Sequence, residues 1–345
     1  MGVHRLLRPP PLDFAAARFA DSLGAAGRRR APVSEDGAVT SYRLIDGSGD
    51  GVPGVYLDRY GPAAVMNVHE DARLSQSWVT VAARLTLEQL APAGLEAVYV
   101  KAFARDRSRL GGRAAGDLRA AVPRAGRAQP ESLVVREYGS RFEVRLYDGL
   151  STGLFLDHRE HRRALSQRRL LRVLNLFAYT CAFAVPLAAA GARVTNVDVS
   201  ARYLEWGKRN LALNGLEPSI DSRRGARFFR MDAFAYLAYA ERHPEERFDL
   251  VILDPPTFAV GDRRRGVKPW KALADYPALV QAALRVLAPG GSVFAASNTR
   301  ELAAPGVLAR LVTEALGYSP AWQTLPPWPA DVSEPGRVAA VLFIP

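Results

Sequence analysis

Four apolar runs in the C-terminal half of the chain each end in residues able to do chemistry. The run over 170–177 leads into Asn175-Leu176-Phe177-Ala178-Tyr179-Thr180, and then two small residues, Cys181 and Ala182. Small residues let backbone N–H groups approach a ligand, and a helix opening here would favour an anionic group such as a carboxylate. The run over 193–197 ends in Asp198, 23 residues after Asn175. One carboxylate there can accept hydrogen bonds from both hydroxyls of a ribose. The run over 228–231 leads into Asp232-Ala233. Asp232 can accept from an adenine amino group while Met231 or Ala233 packs on the ring. The run over 248–253 ends in Asp254-Pro255-Pro256-Thr257-Phe258. Two prolines fix φ and remove donors, so the backbone carbonyls would face a cleft, and Phe258 could stack on a flat ring. Each feature has a plain structural counterpart: an Asp turn, an Asp232 helix cap, a Pro-Pro bend. Their serial occurrence is what points to a nucleoside-shaped ligand. No Gly-x-Gly-x-x-Gly follows the first run, which argues against a standard dinucleotide dehydrogenase.

The elements that must position these residues follow from pattern. Helices are expected over 182–190, from a Ser200 cap to Asn214, after Asp232, over 275–287 and over 305–316, with further strands over 292–297 and 338–344. Such alternation predicts a parallel sheet covered on both faces, with ligands at the carboxyl ends of its strands. Upstream, residues 41–147 read as a small α+β domain, with strands over 42–45, 54–57, 63–68, 97–101, 133–137 and 142–146 and a helix over 75–90. The Arg- and Gly-rich stretch 105–130 reads as a surface loop. Residues 1–40 read as an appendage with a short helix over 13–24. The expected domains are therefore 1–40, 41–147 and 148–345.

A chain of 345 residues with 48% hydrophobic residues can bury a substantial core. No apolar run approaches the ~20 residues that span a bilayer, and no export signal is visible. One cysteine excludes an intrachain disulfide and a multi-thiolate zinc site. The expectation is a cytoplasmic protein that engages no membrane. A net charge of +11 attracts polyanions, of which nucleic acid is the commonest in the cytosol.

The chain resembles the bacterial large-subunit ribosomal RNA methyltransferases, a group that includes a cytosine-C5 enzyme and the guanine-N7 half of a fused enzyme. Thr152-Gly153-Leu154-Phe155-Leu156-Asp157-His158-Arg159 looks like the family motif that closes over the cofactor, and 174–180 like the motif after strand one. Asp198-Val199-Ser200 with 203–206 and 210–215, and Asp254 to Phe258, look like the guanine-N7 branch. Residues 50–61 look like the small central domain of the cytosine-C5 branch, without a full N-terminal PUA domain. The resemblance implies a Rossmann-like class I α/β methyltransferase domain, a smaller N-terminal α+β domain, S-adenosyl-L-methionine as cofactor, and ribosomal RNA as partner and substrate. It implies cofactor contacts from Phe155, Asp157, Arg159, Asn175, Phe177, Tyr179, Thr180, Asp198, Ser200, Asp232, Ala233 and Asp254. Asp254, Pro256, Phe258 and Asn298 would face the target base. His158 and His161, read as lying on an exposed turn, receive no role, and no metal is assigned.

The cytosine-C5 enzymes carry a nucleophilic Cys after strand five, where this chain has Ala296-Ser297-Asn298-Thr299-Arg300. Cytosine C5 needs a thiolate to add to the neighbouring carbon first, so guanine N7 or another nitrogen is favoured. Cys181 reads as a packing residue. Arg263-Arg264-Arg265, Lys268 and Lys271 would hold RNA phosphates, with Trp270 free to stack, and Arg105, Arg107, Arg109 and Arg113 would extend that surface. The competing readings are a methyltransferase for a small molecule or protein, and a non-catalytic SAM- or RNA-binding protein. A homodimer is compatible with any of them.

Overall fold

The computed structural model describes residues 12–35, 37–103, 122–149, 151–170, 172–216, 225–243, 245–262, 267–333 and 337–345, with side chains from residue 16 onward. The chain forms two units, one of Met1–Val135, Val144–Thr152 and Ala330–Glu334, the other of Arg136–Glu143, Gly153–Pro329 and Pro335–Pro345.

In the first unit, β1 (Ser41–Asp46), β2 (Val55–Tyr60), β3 (Ala63–His69), β4 (Ala97–Phe103) and β5 (Ala125–Gly126) form one sheet in that order. β3 and β4 are parallel, joined across the helix Gln76–Leu90, whose first turn is capped by the Ser75 hydroxyl accepting from Trp78 N–H. The helix expected over 13–24 runs instead from Leu12 to Ser34. Its extension carries the buried Arg30, whose guanidinium pairs with Asp50 at 2.5 Å. Burial works to raise the Asp50 carboxyl, but hydrogen bonds from Arg30 and Arg29 overcome it and hold the group below its ordinary value. A buried arginine is tolerated only with such a partner, and the partner is remote from the helix in sequence. Of the loop expected over 105–130, residues 105–121, with Arg105, Arg107, Arg109 and Arg113, lie outside the described residues, and the remainder is not all loop, since Ala125–Gly126 pairs with β4 as β5.

The hairpin of β6 (Leu133–Glu137) and β7 (Ser140–Val144) precedes the larger sheet. That sheet contains β8 (Arg172–Leu176), β9 (Arg193–Asp198), β10 (Gly225–Arg230) and β11 (Phe248–Leu253). A short ribbon of β12 (Phe258–Ala259) and β13 (Trp270–Lys271) follows β11. The sheet is completed by β14 (Leu287–Ser297), β15 (Ala321–Gln323) and β16 (Ala339–Ile344). Its order is β10-β9-β8-β11-β14-β16-β15. The first five strands are parallel, as expected. β16 runs antiparallel to both of its neighbours, β14 and β15, so the sheet is mixed, and β15 had no counterpart in the sequence reading. From β8 the chain winds outward through β9 to β10, then returns to β11 on the other side of β8. The reversal makes the crevice between the carboxyl ends of β8 and β11 the topological switch point, where ligands bind in open α/β sheets.

Alternation along the strands divides the core. Leu174, Leu176, Val251, Leu253, Val293 and Ala295 face the helices Ala233–Glu241, Ala272–Leu284 and Val307–Leu316. Phe294, on the opposite parity, packs against Phe183, His158 and His161. The two histidines sit on a 3₁₀ turn, Leu156–His158, and a helix, Arg159–Ser166. Both are buried, at 3% and 2% exposure, which overturns their reading as residues of an exposed turn.

Candidate active site

The turn after β8 departs most from expectation. No helix opens at Ala182; the helix is Ala184–Ala189. Between strand and helix the backbone takes left-handed conformations at alternate residues, Phe177 (φ 55°), Tyr179 (φ 49°) and Cys181 (φ 60°). Each costs a non-glycine residue about 1–2 kcal/mol, so the turn persists only because its surroundings over-determine it. Those surroundings are specific. Ala178 N–H donates to Val197 O at 3.0 Å and Tyr179 N–H to Asp198 Oδ2 at 2.9 Å. Thr180 Oγ1 donates to Gly153 O at 2.6 Å, and Asn210 Nδ2 to Thr180 O at 2.9 Å. Cys181 is wholly buried. Burial and the neighbouring Asp198 both push its thiol up, the opposite of what a nucleophile needs.

Asp198 ends β9. Its Oδ2 accepts from Tyr179 N–H and its Oδ1 from Ser200 N–H at 2.8 Å. One lone-pair direction of each oxygen is thus used, which leaves one on each for a pair of vicinal hydroxyls. Burial raises the carboxyl above its ordinary value, and the two backbone N–H groups oppose that rise. Ser200 caps the helix Ala201–Ala212, accepting from Tyr203 N–H. Asp232 caps the helix Ala233–Glu241 through Oδ1, which accepts from Phe234 and Ala235 N–H, so the structural reading of Asp232 is realised and Oδ2 remains for a ligand. Register puts these carboxylates at the same end of the sheet. Arg230, two residues before Asp232, pairs with Asp198, and Leu253, just before Asp254, pairs with Leu176.

The segment before the sheet reaches the same mouth. Phe155 is 47% exposed, its ring 5.5 Å from that of Tyr179, and Tyr179 lies edge-on to Tyr203 at 4.4 Å. Asp157 lies two residues on, at the 3₁₀ turn. Arg159 does not join this rim. It is buried beside Glu160 and lines a cavity of about 270 Å³ with Glu137, Tyr138, Arg162 and Arg163. Asn175 is likewise inside the sheet, where its amide donates to Asn196 Oδ1 at 2.9 Å.

On the far side of the switch point, Asp254 is 30% exposed, and burial raises its carboxyl while His158 opposes the rise. Pro256, Thr257, Phe258 and Asn298 are exposed, and Thr257 Oγ1 donates to Asn298 Oδ1 at 3.0 Å. The Pro256 carbonyl does not face the cleft. It accepts from Trp270 Nε1 at 2.7 Å, and Trp270 is buried against Phe177 rather than free to stack. Tyr276 Oη ties the two strand ends together, donating to Ala296 O at 2.8 Å and lying 3.3 Å from Leu253 O. Tyr276 was not singled out from the sequence, and Trp270 was read there as a stacking surface rather than as a brace. Residues 263–266, and with them Arg263-Arg264-Arg265, lie outside the described residues; Lys268 and Lys271 are exposed.

The profile of the S-adenosylmethionine-dependent methyltransferases matches residues 72–343. The chain belongs to that family. This methyltransferase is 35% identical to a ribosomal RNA large subunit methyltransferase of Deinococcus radiodurans, over 85% of its own length and 69% of the relative's. It is 40% identical to the ribosomal RNA large subunit methyltransferase K/L of a Psychrobacter species, over 48% of this chain and 20% of that protein. With the K/L enzyme of Pseudoalteromonas translucida it shares 33% identity over 76% of this chain and 35% of that one. The chain therefore spans a minor part of the K/L proteins. The fold is shared with SMU.776, a methyltransferase crystallised with SAH, at a TM-score of 0.79 and 24% identity over 95% of this chain and 82% of that one. A SAM-dependent methyltransferase from Streptococcus mutans superposes with a TM-score of 0.77 at 24% identity, covering 97% and 81%.

The residues present fit S-adenosylmethionine. Asp198 keeps two acceptor directions suited to ribose hydroxyls, and Asp232 Oδ2 is available to an adenine amine.

Proposed function

We propose that this methyltransferase modifies a base of large-subunit ribosomal RNA at a ring or exocyclic nitrogen, guanine N7 first. The names of its curated relatives support the RNA class. So does a net charge of +11, which draws in a polyanion. The observation that carries the choice of atom is the fate of the only cysteine. Cys181 is buried with its thiol pushed up, and the mouth around Asp254 holds Asn298 and Thr257 instead of a thiolate. Addition to a pyrimidine ring carbon has no nucleophile here. Guanine N7 needs none, having an exposed lone pair and no proton to lose.

Bound S-adenosylmethionine supplies an electrophilic methyl on a sulfonium. The chain's own residues then do the positioning. Asp254 accepts from N–H groups of the base, and the exposed Phe258 offers a stacking face. With Asn298 Oδ1 engaged by Thr257, the Asn298 amide N–H₂ is turned outward as a donor for an acceptor on the base. A base within folded RNA must be splayed out to enter. We assign the exposed Lys268 and Lys271 to holding the RNA backbone. Ribosomal RNA as substrate puts the enzyme in the cytosol. Isotopically labelled S-adenosylmethionine, offered with ribosomal RNA, total protein and metabolite pools, tests the substrate class. Mass mapping of modified nucleosides in rRNA from a deletion strain tests the atom, and loss of a 5-methylcytidine would overturn it.

A further inference from the structure

The catalytic-motif carboxylate has a neighbour that the reaction above leaves unused. His158 Nδ1 lies 3.0 Å from His161 Nδ1, and His158 Nε2 lies 3.9 Å from Asp254 Oδ2. Two imidazole nitrogens at that distance share one proton, so one ring donates and the other accepts. The carboxylate decides which. A lone pair on His158 Nε2 would face the negative Asp254, whereas an N–H there is attracted to it. With the proton on Nε2, His158 Nδ1 accepts, and His161 must donate from its own Nδ1.

Aromatic rings surround the pair. Phe183, Phe294 and Trp328 enclose His158, and the Trp328 ring lies 4.6 Å edge-on from that of His161. The charged groups acting on the pair are Asp254 from the loop after β11 and, from its own segment, Asp157 and Arg162. Arg162 is itself held by Glu137 through contacts of 2.8 to 3.1 Å. Burial, then His158, drives His161 down to about 3, so the donor ring carries no second proton near neutrality.

We propose that His158, with its Nε2 proton drawn toward Asp254 and its Nδ1 paired with His161, is a positioning residue that aims the Asp254 carboxylate at the target base. The 3.9 Å gap closes to a hydrogen bond by a small rotation of Asp254, as such contacts tighten when substrate is in place. The proposal rests on the reading of Asp254 as the base-facing carboxylate.

The chain has five histidines, so ¹⁵N-histidine NMR of the full chain resolves each one without substrate. The expected spectrum at pH 7 has His158 protonated on Nε2 alone and His161 on Nδ1 alone. The reverse assignment, or a doubly protonated His158, overturns the proposal. In methyl-transfer assays, His158→Phe keeps the ring volume and should lower kcat about 100-fold, the cost of a misplaced reacting group. S-adenosylmethionine Kd and RNA KM should stay within roughly threefold. His158→Gln retains an N–H and should recover about tenfold of that loss. Unchanged kcat in His158→Phe, or equal losses in Phe and Gln, would overturn it. If the native chain methylates no ribosomal RNA, the substrate reading fails while the spectrum still decides the tautomers.

Discussion

Gly207, in the helix Ala201–Ala212, is where the structure makes its sharpest energetic claim. A Cβ there would stand 2.4 Å from Cys181 Sγ and 2.9 Å from Cys181 Cβ. Real Cβ atoms do not approach so closely, and Cys181 cannot swing away because it is buried in a left-handed conformation. Gly207→Ala gains about 1 kcal/mol of helix propensity. Overpacking a rigid site costs about 1–3 kcal/mol, and contact with a fixed Cβ belongs at the upper end. The expected net effect is a destabilisation of about 2 kcal/mol. Cys181→Gly removes both clashing atoms and relieves about 1–2 kcal/mol of backbone strain, at the cost of one small buried side chain. The double variant should therefore exceed Gly207→Ala in stability, with a coupling energy of about 2–3 kcal/mol. Urea unfolding of the four chains measures the cycle, and calorimetry with S-adenosylmethionine follows the turn, because Tyr179 N–H is anchored to Asp198 two residues away. Independent effects of the two substitutions would refute the packing argument.

Four further outcomes follow from single contacts. Asp198→Ala should weaken S-adenosylmethionine binding at least 30-fold, since each hydrogen bond to a charged group contributes about 1.5–3 kcal/mol; near-native calorimetric affinity would remove the ribose assignment. Asp198→Asn should be nearly as damaging, because the amide N–H₂ must confront the N–H of either Tyr179 or Ser200. Cys181→Ser should keep methyl transfer within about threefold while lowering the urea midpoint, as a buried hydroxyl replaces a weakly polar thiol; loss of turnover with cofactor binding intact would restore a thiolate mechanism. His161, depressed from 6.5 to about 3 chiefly by burial, binds a proton more readily unfolded. Stability is therefore complete above the unfolded value and falls as pH drops through that window, by up to ~1.4 kcal/mol per pH unit. His161→Phe should flatten this part of the pH–stability curve, and an unchanged slope would contradict the burial.

The parallel half of the larger sheet was readable because apolar segments, nearly continuous in β11 and broken by polar residues in β9 and β10, alternate with helical patterns and end in turn signals. The three acidic strand ends were readable for the same reason. Strand direction at the far edge was not, because hydropathy carries no sign of polarity along the chain and Ala321–Gln323 is only three residues long. The helix Arg159–Ser166 was invisible because its buried positions include Arg159, His161 and Arg162, so the inward face is itself polar. Periodicity finds only apolar faces. Those side chains are tolerable inside because Glu137, Glu160 and the Phe294 and Trp328 rings meet them, and all but Glu160 come from distant parts of the sequence. Trp270 was taken for a surface aromatic because it follows an Arg/Lys run; its indole N–H in fact braces the Pro256 carbonyl.

The phenol of Tyr276 acts as a spacer gauge. It stands between the carbonyls of Leu253 and Ala296, immediately ahead of the loops that carry Asp254 and Asn298. The hydroxyl thus meets, from the helix Ala272–Leu284, the carbonyls at the two strand ends where the pairing of β11 with β14 stops. Phenylalanine at that position would leave both carbonyls without this donor while altering neither Asp254 nor Asn298.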